Sequence, residues 1–126
     1  MRAVDTNVLV RLITRDDFKQ VAAADAFVEK GAWVSLLALT ESMWVLAAVY
    51  ERSAAEIARA VEMLLNHRNL TLQDSEVVAA ALEILRTRPA LGFSDCLLLE
   101  LARKAGHLPL GTFDRELSKL DGVQKL

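Results

Sequence analysis

The sequence has a single cysteine, Cys96, so no disulfide can close within it. The bland role for that thiol, followed by Leu97, Leu98 and Leu99, is a small packed hydrophobe. Proline and glycine are scarce, and Pro89 and Pro109 both fall late in the chain. There is accordingly no Pro/Gly/Ser-rich linker, no repeat and no low-complexity tract, and a single domain over residues 1–126 is expected. No apolar run approaches the roughly 18 residues of a membrane span. One basic residue precedes Asp5 with no long apolar segment after it, which is not the pattern of a signal peptide, and a cytoplasmic location is expected. Basic charge is not in excess: 15 Lys and Arg stand against 17 Asp and Glu, a net charge of −2. A broad basic footprint for duplex DNA is therefore missing. An enzyme that grips a phosphodiester through divalent cations is not excluded, because the cations bring the positive charge. Also absent are the P-loop, G-x-G-x-x-G, H-E-x-x-H and G-x-S-x-G patterns.

What is present is apolar material, 53% of the chain, enough for one core. Residues 2–5 read as a short buried strand ending at Asp5, after which Thr6 or Asn7 caps a short helix carrying Val8, Leu9 and Leu12. Residues 17–30 have helical spacing (Phe18, Val21, Ala22, Ala26, Val28) and stop at Gly31. A strand over 32–36 leads to an apolar helix over 38–50 in which Glu41 is the only acid. Ser53 and Glu56 form a capping box for a helix to about Leu65. A strand at 70–72 is followed by a helix from 75 to about 87 that Asp74 can cap. Ser94 or Asp95 opens a helix ending at Gly106, a strand covers 108–112, a last short helix follows Asp114, and Val123 begins a fifth strand. Short strands alternating with helices predict an α/β fold with a mainly parallel sheet of about four or five strands flanked by helices.

In such a fold ligands bind beyond the carboxyl ends of the strands. Asp5, Glu41, Asp95 and Asp114 all lie where a strand feeds a helix, which places them at one edge of a parallel sheet. Carboxylates gathered there repel one another, and a hard divalent cation removes the penalty. Oxygen donors favour Mg²⁺ or Mn²⁺ over Zn²⁺. Taken singly, Asp5, Asp95 and Asp114 are adequately explained as helix caps, and Glu41 as an ordinary early-helix acid. Glu41, however, precedes Met43, Trp44, Val45 and Leu46 in a helix with little polar surface, where an acid is costly unless paired or metal-bound.

Other residues carry less. His67 and His107 are isolated and lack metal-ligand spacing. Arg86 and Arg88, with Arg11, Arg15, Arg103, Lys104 and Arg115, could track an RNA backbone, although sequence alone does not put them on one face. Trp33 and Trp44 read as core rather than as base-stacking platforms. A phosphoryl-accepting signalling domain would want an acidic neighbour beside Asp5 and a Lys after the fourth strand, and neither is there. A phosphatase with an Asp nucleophile would want a second Asp where this chain has Asn7.

The segments around the four acids resemble PIN-domain ribonucleases, specifically the VapC-like toxins of prokaryotic toxin–antitoxin pairs. The opening AVDTNVLVRLITRDD is similar to that family's start, with its first acid at Asp5 and a polar neighbour at Asn7. LALTESMWVL is similar to the segment of the second acid, Glu41, and LGFSDCLLLELARKAG to that of the third, Asp95. LGTFDREL matches the last, Asp114, preceded by the family's hydroxyl position at Thr112. The resemblance covers essentially the whole chain in order, and no acid is missing. It implies a short parallel sheet between helices and a Mg²⁺- or Mn²⁺-dependent endoribonuclease. In the expected reaction a cation-activated water attacks phosphorus while the metal stabilises the leaving oxygen. Asp5 and Asp95 would be the principal ligands, with Asp114 completing the site directly or through water. Glu41 would bind the metal or orient the water, and Asn7 and Thr112 would support the carboxylates from behind. The resemblance also implies an RNA substrate, a cognate antitoxin and a homodimer. A non-catalytic module of the same fold that only binds RNA or protein is the alternative.

Overall fold

The structure is a computed structural model that describes residues 1–126. Residues 1–75 and 76–126 form two compact units.

The first unit is built of two strand–helix–helix crossovers. Its order is β1 (Arg2–Ala3), α1 (Thr6–Thr14), α2 (Phe18–Val28), β2 (Ala32–Val34), α3 (Leu36–Ala48), α4 (Ala54–Asn66) and β3 (Leu70–Leu72). The strands are parallel in the order β1-β2-β3, with Ala3 opposite Trp33 and Trp33 opposite Thr71. The period of two along a strand puts Ala32 and Val34 of β2, like Leu70 and Leu72 of β3, into the core. Leu9, Val10 and Leu12 of α1 are buried, as are Leu39, Met43 and Leu46 of α3 and Val61 and Leu64 of α4. Around them α1 packs on α2 and α3, and α4 packs on α3 and β3. Ser53 accepts the Glu56 amide at 3.2 Å and Glu56 returns the contact to the Ser53 amide at 3.0 Å, so the capping box forms as its sequence requires.

Several local expectations shift. The cap of α1 is Asp5, not Thr6 or Asn7, and β1 stops at Ala3. Ser35 accepts the Ala38 amide at 3.0 Å, which ends β2 at Val34 and starts α3 two residues earlier than expected. The buried stripe of α2 is Val21, Ala24 and Val28, while Phe18 is 90% exposed. Neither tryptophan is core: Trp33 lies on the outward face of β2, and Trp44 is 67% exposed.

The second unit contains α5 (Ser75–Thr87, whose first residue closes the preceding unit), α6 (Phe93–Ala105), β4 (Leu110–Thr112), a 3₁₀ turn (Leu117–Lys119) and β5 (Val123–Lys125). Strand β4 pairs in parallel with β5, Leu110 opposite Val123. Val78, Ala81, Leu82 and Leu85 of α5 are buried, as are Phe93, Cys96, Leu97 and Leu99 of α6. Helix α6 starts at Phe93 with Gly92 at its cap position, so Asp95 lies in the first turn instead of opening the helix. It ends at Gly106, whose φ of +81° is a left-handed conformation that glycine adopts without strain. The fold is thus α/β with five strands, parallel within each sheet. They are divided into sheets of three and two, where one sheet of four or five was expected. Strands of two or three residues leave little ladder to recruit a further neighbour.

Candidate active site

In the first unit, Asp5 is held by the turn it caps. The Val8 amide donates to Asp5 Oδ1 at 3.0 Å, the ordinary bond of an aspartate at a helix N-terminus. The other oxygen makes no hydrogen bond. Glu41 lies in the second turn of α3, and its Oε2 accepts the Thr6 hydroxyl at 2.8 Å. Thr6 directly follows Asp5, so the packing of α1 on α3 brings Glu41 to the residue next to Asp5 although 36 positions separate the two acids in the chain. The reason given by the sequence for singling out Glu41 does not hold. The residue is exposed, because α3 turns a stripe of Leu37, Glu41 and Trp44 outward. Burial is not what makes this acid unusual; its bond to Thr6 is.

In the second unit, the first turn of α6 carries Asp95, and the turn after β4 carries Asp114. Asp114 Oδ2 accepts the Leu117 amide at 3.0 Å, and the Asp114 amide donates to Thr112 Oγ1 at 3.0 Å, so Thr112 fixes the backbone on which Asp114 sits. Asp95 accepts no hydrogen bond. Its carboxyl is pushed above the usual carboxylate range, first by partial burial and then by the charge of Asp114. The repulsion places this second pair of acids within electrostatic reach of each other. The neighbouring Cys96 is fully buried, and burial pushes its thiol up to about 11, so it is a packed hydrophobe as expected and not a nucleophile.

Each acid therefore keeps at least one oxygen outside any hydrogen bond, and none has a Lys or Arg partner. Several acids elsewhere do: Asp16 pairs with Arg11, Asp25 with Arg15 and Glu76 with Lys104. Within neither unit do three or more acidic, histidine or cysteine side chains form a closed metal cage. The donors stand two by two. Carboxylate oxygens, unpaired with cations, suit a hard divalent ion such as Mg²⁺ or Mn²⁺, and Asp95 in particular gains from a neutralising charge.

Among the supporting residues, Thr112 makes the contact described, whereas the exposed Asn7 side chain makes no hydrogen bond. His67 accepts the Asn69 amide on Nδ1 at 3.1 Å and belongs to the turn after α4. Thr6 and Ser42 were not legible beforehand. Ser42 is the one fully buried polar side chain; it donates to the Ala38 carbonyl at 2.7 Å and approaches the Thr6 carbonyl at 3.5 Å. The available signal was adjacency, since each directly follows an acid of the candidate set.

A family model described as PIN domain matches residues 2–123, nearly the whole chain and across both units. No curated protein and no solved structure matches it.

Proposed function

The chain belongs to the PIN-domain family, whose members are generally nucleases that use divalent metals, and on that premise we propose that it is a Mg²⁺- or Mn²⁺-dependent endoribonuclease, the toxin of a toxin–antitoxin pair. The observation that carries this reading is that the four acids stand without cationic partners. Asp5, Glu41, Asp95 and Asp114 have no cationic side chain as partner, and Asp95 is raised first by partial burial and then by Asp114. Metal-free, Asp95 costs stability as an ion, and a carboxylate perturbed in this way marks a candidate functional site. All four acids are read as serving the same metal-dependent reaction.

A divalent cation bound there supplies positive charge that activates water and steadies the leaving oxygen of a phosphodiester. The residues of the chain do the rest. Asp5 and Asp95 serve as principal ligands through their free oxygens. Asp114, fixed by Leu117 and by the Thr112 turn, aims its second oxygen. Glu41 keeps Oε1 free to accept a proton from the attacking water or to bind metal directly. Hydrolysis forms one P–O bond and breaks another, and the proton lost by water ends on the leaving oxygen.

RNA, a neighbouring antitoxin and a second copy of the chain are the proposed partners. A free nuclease must be restrained, and an acidic site is blocked most directly by an inserted Arg or Lys. The outward stripe of α3 with Leu37 and Trp44, and exposed Phe18 at the start of α2, offer apolar anchors for a partner helix. The test is cleavage of a structured RNA in Mg²⁺ or Mn²⁺ against an EDTA control. Cleavage that requires the metal and disappears in Asp5→Asn and Asp95→Asn supports the enzyme; full activity in EDTA overturns the mechanism. Binding of RNA or protein with no cleavage favours the silent module.

A further inference from the structure

We propose that Thr6 is a positioning residue, whose hydroxyl holds the Glu41 carboxylate in the rotamer that meets a metal ion shared with Asp5. This deepens the nuclease reading and rests on it.

The inference starts from where Thr6 lies in its helix. Hydroxyls within helices of this chain find a carbonyl in the preceding turn: Thr40 reaches Leu36 at 2.7 Å, Ser42 reaches Ala38 at 2.7 Å and Thr87 reaches Ile84 at 3.1 Å. Thr6 is the first residue of α1 and has no preceding helical turn, so its proton is left for another acceptor. That acceptor is Glu41 Oε2 at 2.8 Å, 35 residues away. An ionised carboxylate can only accept and a threonine hydroxyl has one proton to give, so the direction of the bond is settled. The branched Cβ of Thr6 restricts its own χ1, which makes it a stiff donor.

Glu41 needs such a tether. It is exposed and has three rotatable side-chain bonds, and no salt bridge or second hydrogen bond holds it. Untethered, its free oxygen would sample many positions. Bound to Thr6, it is indexed to the start of α1, where Asp5 is fixed by the Val8 amide. Ser42, buried beside Glu41 in α3, lies 3.5 Å from the Thr6 carbonyl while its proton goes to Ala38, so the two helices are closely packed at this junction. The two acids are thereby held in register through Thr6. Loss of an orienting partner of this kind lowers metal affinity by about tenfold or more.

The test measures Mn²⁺ affinity of the full chain without RNA, by calorimetry or by electron paramagnetic resonance of free Mn²⁺. It compares wild type, Thr6→Val, Thr6→Ser, Glu41→Gln and the Thr6→Val/Glu41→Gln double variant, with metal-free melts as the folding control. The expected result is about tenfold weaker binding in Thr6→Val and near wild-type binding in Thr6→Ser, with unchanged melts. In the Glu41→Gln background the Thr6→Val change should have no further effect. Wild-type affinity in Thr6→Val, equal weakening in Thr6→Ser, or an undiminished Thr6 effect without Glu41 each overturns the proposal while wild-type Mn²⁺ binding leaves the nuclease reading intact. A wild-type chain that binds no Mn²⁺ and cleaves no RNA overturns the nuclease reading, and Thr6 falls with it.

Discussion

At Asp5 one carboxylate oxygen accepts the Val8 amide while the other makes no hydrogen bond, so the residue both caps α1 and presents charge. Substitution separates the two roles. Asparagine caps as well as aspartate, so Asp5→Asn should melt within a degree or two of wild type without metal, yet lose metal-dependent activity. Asp5→Ala should lose both, with the cap worth about 1 kcal/mol and a fall in Tm of roughly 4 °C. Asp95 has no capping bond, and its carboxyl is raised by burial and by Asp114. For a raised acid the stabilising, neutral form is fully present below the ordinary carboxylate range, and its contribution is lost as pH rises through the folded value. Metal-free Asp95→Asn should therefore melt at or above wild type at pH 7, and its advantage should shrink as pH falls towards 4. A variant that melts well below wild type at pH 7 would make Asp95 a structural residue. Asp95 follows α5 and not a strand, contrary to expectation, but Asp5 and Asp114 were legible because charge just after a strand is visible in the sequence. Thr6 was not, because its contact spans 35 residues and depends on how α1 packs on α3.

The elements follow local chemistry closely where caps are written into the sequence. The Ser53–Glu56 box and Gly106 delimit helices at the expected places. Ser35 and Asp17 also cap, but a hydroxyl or carboxylate before an apolar run does not declare which residue begins the helix, hence the shift at α3. Its orientation was less legible still. An almost wholly apolar helix carries no amphipathic contrast, so sequence could not tell that Leu37 and Trp44 face outward while Leu39, Met43 and Leu46 face in. That outward stripe supports a prediction. Leu37→Ser and Trp44→Ala remove exposed groups and should change Tm by no more than a few degrees. They should also weaken the complex with the proposed antitoxin at least tenfold in a titration of the purified pair. Unaltered binding in both variants would move the partner to another face.

For the molecule as a whole, parallel pairing came through from the alternation of strands and helices, whereas the division into three- and two-stranded sheets did not, since ladders this short are decided by few hydrogen bonds. The candidate site divides likewise, with Asp5 and Glu41 tied through Thr6 in one unit and Asp95 beside Asp114 in the other. Under the proposed function both pairs serve one metal-dependent reaction, and effects of residues that act together in one reaction are strongly non-additive. The decisive measurement is the rate of RNA cleavage in Mn²⁺ for wild type, Asp5→Asn, Asp95→Asn and the double variant. One shared reaction predicts a loss of about a hundredfold or more in each single variant and little further loss in the double. Two small losses that multiply in the double variant, or activity retained without either carboxylate, would contradict it.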